Sequence, residues 1–153
     1  MNILDKTEKK VLIATGVLMG IFIFSILYAK DRYQSDLPEC IPYNKIYTEA
    51  KINKLDDSTY QVFVVAQMWQ FQPAEIIVPA GSEVDFYLSS KDVVHGFDIY
   101  EKNVNMMAVY GSINKKTVKF DTPGIYNIIC HEYCGVGHQN MQAQVIVTDA
   151  ARR

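Results

Sequence analysis

Residues 11–29 (VLIATGVLMGIFIFSILYA) are nineteen consecutive positions without a charge. As a helix rising about 1.5 Å per residue, this run nearly spans the ~30 Å hydrocarbon core of a bilayer. In lipid every backbone amide must be satisfied within the segment, so a lone span of this kind is a helix. Lys6, Glu8, Lys9 and Lys10 close one end and Lys30, Asp31 and Arg32 the other. A cleaved signal peptide has a shorter apolar stretch and a small-x-small cleavage site, which Leu27-Tyr28-Ala29 fits poorly. A soluble core helix would carry a polar face, and this stretch has none. The run is read as an uncleaved single-pass anchor in a lipid bilayer. Residues 1–10 are then a cytoplasmic amino terminus and residues 30–153 lie on the outer side, although the lysine and arginine bias across the span is weak.

Past the anchor, residues 30–58 mix charge, Pro38, Pro42 and tyrosines and read as a connector. From residue 59 the pattern turns to short β-rich runs: 60–65, 68–71, 75–78, 83–88, 94–100, 106–110, 117–120, 124–129 and 142–147. Several alternate in polarity with period two, so Val84, Phe86 and Leu88 share one face. Turn residues (Pro79-Ala80-Gly81, Pro123-Gly124) separate the runs at the spacing of a two-sheet Greek-key barrel. No helical period of useful length lies outside the anchor. The predicted organisation is one transmembrane helix, a connector, and an all-β domain over 59–153.

Residues 36–149 hold fourteen Asp plus Glu and eight Lys, a net charge of −6. An acidic surface disfavours nucleic acid and favours steering of a basic protein partner.

The chemistry concentrates in Cys130-His131-Glu132-Tyr133-Cys134-Gly135-Val136-Gly137-His138-Gln139-Asn140-Met141. Two thiols, an imidazole and a thioether occupy the first, fifth, ninth and twelfth places of one loop. Thiolate and thioether are soft donors that favour copper or another thiophilic metal over magnesium or calcium. Gly135 and Gly137 give the backbone freedom to turn the donors inward. The loop joins the runs 124–129 and 142–147, so strands hold both its ends. His95, at the start of another run, is placed to add a ligand from the barrel itself. A Cys130–Cys134 disulfide suits an oxidising compartment but leaves His138 and Met141 unexplained. Cys40, flanked by prolines, has no ligand set beside it and reads as incidental.

Three metal readings fit the donors. A structural Cys2His2 zinc site gains nothing from Met141. A single blue-copper centre of His2Cys type with axial Met leaves one thiolate idle. Two copper ions bridged by both thiolates use every donor: one histidine on each, Met141 capping one and the backbone carbonyl of Glu132 the other.

With these residues in place, the chain resembles cytochrome c oxidase subunit II. His95, Cys130, Glu132, Cys134, His138 and Met141 match its Cu-A motif, and the likeness extends to Asp92-Val93-Val94-His95-Gly96-Phe97 and across most of residues 59–148. The resemblance implies a cupredoxin-like fold and a dinuclear mixed-valence copper centre. It further implies cytochrome c as electron donor, a haem of oxidase subunit I as acceptor, oxygen reduction with proton pumping in the assembly, and residence in the cytoplasmic (inner) membrane with the domain periplasmic. A single span, where the usual member has two, is similar to the short subunit II of B-type haem-copper oxidases, in which a small single-helix subunit supplies the missing span. In the family an aromatic stretch lies over the copper site, which makes Trp69 a candidate route inward for electrons; on residue type alone it is a core aromatic. Asp92 is a candidate for orienting the loops. His131, between ligands, is expected to point away from the metal. Glu8 matches the place where related oxidases carry a carboxylate at the mouth of a proton path; the plainer reading is an acidic residue at a helix start. The other reading of the whole chain is a membrane-tethered copper carrier or sensor. A nitrous oxide reductase Cu-A domain would require a propeller absent from this sequence.

Overall fold

The computed structural model describes residues 5–33, 39–41 (backbone only), 47 and 49–149, and these form two compact units divided between residues 36 and 37. The first is a single helix, α1 (Lys6–Tyr33). It outruns the apolar stretch at both ends because lysine, glutamate and arginine are themselves good helix formers. Its start is a capping box: Asp5 Oδ1 accepts from the amides of Thr7 (2.6 Å) and Glu8 (2.8 Å), and Glu8 Oε2 accepts from the amide of Asp5 (2.7 Å). Three amides at the helix start, where the first turn's N–H groups lack intrahelical partners, are thereby satisfied. The stretch Lys6–Arg32 is long and apolar enough to cross a membrane.

The second unit contains eleven strands among the described residues: β1 (Glu39–Ile41), β2 (Lys51–Lys54), β3 (Thr59–Gln67), β4 (Gln70–Gln72), β5 (Glu75–Pro79), β6 (Ser82–Ser90), β7 (His95–Ile99), β8 (Val104–Ala108), β9 (Ile113–Phe120), β10 (Gly124–Ile129) and β11 (Gln142–Thr148). One sheet runs β1-β9-β6-β3-β2 with β4 on β3; the other runs β5-β11-β10-β7-β8. Most neighbours are antiparallel, but β3 lies parallel to β6 and β5 parallel to β11. The result is the expected two-sheet, cupredoxin-like barrel.

Alternation explains the core. Val84, Phe86 and Leu88 of β6 are fully buried against Val62 and Val64 of β3, Phe97 of β7 and Val145 of β11. Phe97 is the hub: its ring meets Phe71 at 5.5 Å and Phe86 at 5.6 Å between centroids, edge-on and tilted respectively. Each such side chain contributes roughly 1.5–3 kcal/mol on burial. Phe97 lies two residues from His95, so the packed core holds that end of the barrel.

Two features depart from the sequence expectation. Met68 and Trp69 do not extend a strand; they form the two-residue turn between β3 and β4, whose register pairs Gln67 with Gln70. The reason lies in a distant partner: the Met68 amide turns aside to donate to Asp92 Oδ2 at 2.7 Å. Within the expected connector, β1 pairs with β9 and β2 with β3, so these strands occupy the two edges of one sheet. Tyr47 is fixed between them, its hydroxyl 2.6 Å from the carbonyl oxygen of Tyr87 and 3.0 Å from that of Val64. Burial drives its phenol pKa well above the ordinary value, so it remains a donor. The side chain of Cys40, and residues 1–4 and 150–153, lie outside the described residues.

Candidate metal centre

Strands β10 and β11 are antiparallel neighbours, and the loop between them is closed at its neck by the Cys130 amide, which donates to Met141 O at 3.1 Å. Inside the neck the chain coils tightly. His138 N–H donates to Gly135 O, Asn140 N–H to Gly137 O and Met141 N–H to His138 O, all at 3.0–3.1 Å. Gly135 adopts φ +116, which an L-residue resists, so the inward turn depends on glycine there.

These bends gather the donors. The Cys130 and Cys134 sulfurs lie 3.8 Å apart, far from the ~2.05 Å of a disulfide, and both are free thiols. Cys134 Sγ lies 3.7 Å from His138 Nδ1 and 3.7 Å from Met141 Sδ. Cys130 Sγ approaches the carbonyl oxygen of Glu132 at 3.3 Å. From the barrel, His95 brings a ring nitrogen within 4.8 Å of both cysteine sulfurs. His95, Cys130, Cys134 and Met141 are all at most 5% exposed.

The His95 ring shows what the cluster is set up to accept. Its Nε2 lies 2.7 Å from Asp92 Oδ1, while its Nδ1 is buried without any hydrogen-bond partner. A carboxylate facing Nε2 holds the proton on that nitrogen and leaves a bare lone pair on Nδ1. An orphaned lone pair beside two thiols is costly unless a cation meets it. Burial, then the neighbouring Cys130 thiol, pushes the Cys134 thiol up to about 11. A bound cation reverses that preference and displaces the protons. The residues present therefore fit a thiophilic metal.

Asp92 ties three parts of the site together. Besides His95 it accepts from the amides of Met68 (2.7 Å) and Val93 (2.7 Å) and from the Ser90 hydroxyl (3.3 Å). Burial works to raise its pKa, but these hydrogen bonds outweigh burial and hold it below the ordinary carboxylate range. By gripping Met68 it sets the turn that carries Trp69. The indole is not in the core: it is 43% exposed and its Nε1 donates to Cys134 O at 3.1 Å. Its ring lies so close over the loop that a Cβ on Gly137 would fall 2.6 Å from Cγ and 2.7 Å from Cε3. Met68, Tyr133 and Val136 are also exposed, giving this pole an apolar rim.

His131 lies outside the donor cluster, partly exposed, its Nδ1 3.7 Å from Glu132 Oε1. Glu8 belongs to the helical unit, where its carboxylate serves the capping box. Asp92 stood out in the sequence through the family likeness as a candidate for orienting the loops; that it does so by facing His95 Nε2 is what the structure adds.

The family described as cytochrome c oxidase subunit II, periplasmic domain, matches residues 48–149. Cytochrome c oxidase subunit 2 of Thermus thermophilus is 41% identical over 90 residues, which cover 59% of this chain and 67% of that protein. A chain of a heme-copper terminal oxidase dimer, solved by cryo-EM, is 39% identical, with a TM-score of 0.79 covering 94% of this chain and all of that one. The periplasmic domain of subunit II of cytochrome oxidase of Bradyrhizobium japonicum, at 20% identity and TM-score 0.54, covers 58% of this chain and 83% of that one and shares the fold. Among the described residues one helix is long and apolar enough to cross a membrane, and the domain that follows it matches a periplasmic family, the arrangement of a single-pass membrane protein with its β-domain on the outer side. With that match over two thirds of its length, the chain belongs to the cytochrome c oxidase subunit II family.

Proposed function

We propose that this chain is the electron-accepting subunit of a haem-copper terminal oxidase in the cytoplasmic membrane. It takes electrons from cytochrome c and passes them to a haem in subunit I, supporting oxygen reduction and proton pumping by the assembly. The observation that carries the reading is the convergence of two free thiols, a thioether and the unpartnered His95 Nδ1 in one buried cluster. Cys130 and Cys134 would hold two copper ions, with His95, His138, Met141 and the Glu132 carbonyl completing the set. The copper pair supplies a one-electron carrier whose charge is shared between two metals.

The protein's own part is preorganisation. Asp92 fixes the His95 tautomer, the closed neck fixes the two cysteines, and burial excludes water, so little needs to move as the charge changes. Trp69, half-exposed and bonded to the carbonyl of Cys134, connects the surface to the site. Glu8, at the cytoplasmic edge of the anchor, collects protons for subunit I. Partners are subunit I, a small single-helix subunit and the donor cytochrome.

The test is to purify the native assembly through this chain and record what accompanies it. A haem-bearing subunit and copper, with haem reduction by added cytochrome c, support the reading. A copper-loaded chain isolated alone, with no haem protein in the membrane extract binding it, supports a tethered copper carrier instead.

A further inference from the structure

His131 and Gly96 are the immediate neighbours of two proposed ligands, Cys130 and His95, on different elements. Strand β10 meets β7 in an antiparallel register that pairs Ile129 with Asp98. Continuing that register by two residues sets His131 opposite Gly96. The imidazole there lies on the glycine backbone: a Cβ on Gly96 would fall 2.6 Å from His131 Cγ, 2.6 Å from Nδ1 and 2.7 Å from Cδ2. No ordinary side chain fits under that ring. Gly96 is buried with ordinary backbone angles, so the space taken by His131, and not backbone conformation, is what requires glycine. An aromatic ring laid across a cross-strand glycine is a recognised way of fixing two strands against each other.

On the other flank of the loop, Trp69 lies over Gly137 in the same manner. The loop is thus held between two ring-on-glycine contacts, one contributed by the barrel and one by the loop itself.

We propose that His131 is a positioning residue, a clasp whose flat ring against Gly96 sets the separation of Cys130 from His95 before metal arrives. The ring acts by shape, so a phenyl ring serves in its place. The proposal deepens the copper reading above and has an arm independent of it.

The experiment uses the full chain in detergent, as His131→Phe, His131→Ala, Gly96→Ala and the double variant Gly96→Ala/His131→Ala. In copper-loaded protein the readouts are the thiolate-to-copper absorption bands, the midpoint potential and the rate of copper loss to a chelator. His131→Phe should match the parent. His131→Ala should shift the bands and lose copper about tenfold faster, the low end of what supporting residues around a metal contribute. Gly96→Ala should disturb the site when His131 is present and add nothing once the ring is gone, a non-additive cycle. In metal-free chain, maleimide labelling mapped by peptide should show Cys130 reacting faster in His131→Ala but not in His131→Phe. That arm decides the proposal even if the chain takes up no copper, an outcome that would count against the copper reading alone. If Gly96→Ala does not fold, the phenylalanine and alanine variants still decide. His131→Ala indistinguishable from the parent in spectrum, chelation and labelling would overturn the clasp, as would equal penalties from Gly96→Ala in both backgrounds.

Discussion

The indole nitrogen of Trp69 donates to the carbonyl oxygen of Cys134 at 3.1 Å, across sixty-five residues of sequence. A surface aromatic and a proposed copper ligand are therefore joined by one hydrogen bond. Trp69→Phe keeps the ring over Gly137 but removes the donor. It should cost about 0.5–1.5 kcal/mol of stability, leave the copper spectrum in place and lower the rate of reduction by cytochrome c. Thermal melts and stopped-flow reduction of the same sample check both. A rate equal to that of the parent would assign Trp69 to packing alone.

Met141 and the cysteines should separate by role. Met141 Sδ stands 3.7 Å from Cys134 Sγ, and a thioether at an axial place tunes a copper site more than it holds it. Met141→Leu is expected to retain copper and shift the potential. Cys130→Ser or Cys134→Ser should abolish the site, since in the proposed centre each thiolate would serve both metals. Copper analysis with redox titration distinguishes the cases; equal copper loss from all three would contradict the division.

Docking should feel two forces of different range. The net charge of −6 over residues 36–149 would steer a cationic cytochrome from a distance. The rim proposed to meet it is apolar: Met68, Trp69, Tyr133 and Val136 are 46, 43, 79 and 81% exposed. Raising ionic strength should therefore lower the second-order rate of electron transfer without abolishing it. Val136→Asp should lower the rate at every salt concentration. A rate unchanged by salt would leave the acidic surface without a part in the encounter.

Glu8 offers a clean substitution because of its cap. Its Oε2 accepts from the Asp5 amide at 2.7 Å, and glutamine can do the same. Glu8→Gln should leave the helix start intact and the reduction of copper by cytochrome c unchanged, while slowing oxygen consumption by the assembled enzyme. Turnover equal to the parent across pH 6 to 9, measured with an oxygen electrode, would reduce Glu8 to a helix cap.

Much of this architecture was legible because it rests on patterns with a clear period. The uncharged run 11–29 became α1, and the alternation of Val84, Phe86 and Leu88 became a buried face of β6. The loop donors were legible from residue type and spacing. What escaped depends on partners distant in sequence. Lys51–Lys54 carries two lysines and little alternation, and becomes a strand only because the edge of β3 is there to pair with it. Met68 and Trp69 look like a strand until Asp92, twenty-four residues on, takes the Met68 amide. The seat of His131 on Gly96 likewise exists only once β7 meets the metal loop.

Two thiols 3.8 Å apart are proposed to share two copper ions. Electron paramagnetic resonance of the oxidised, copper-loaded full chain, with copper counted per polypeptide, tests this most directly. Two coppers per chain and a seven-line hyperfine pattern, from one unpaired electron spread over two equivalent nuclei, are expected. One copper per chain with a four-line pattern would contradict it.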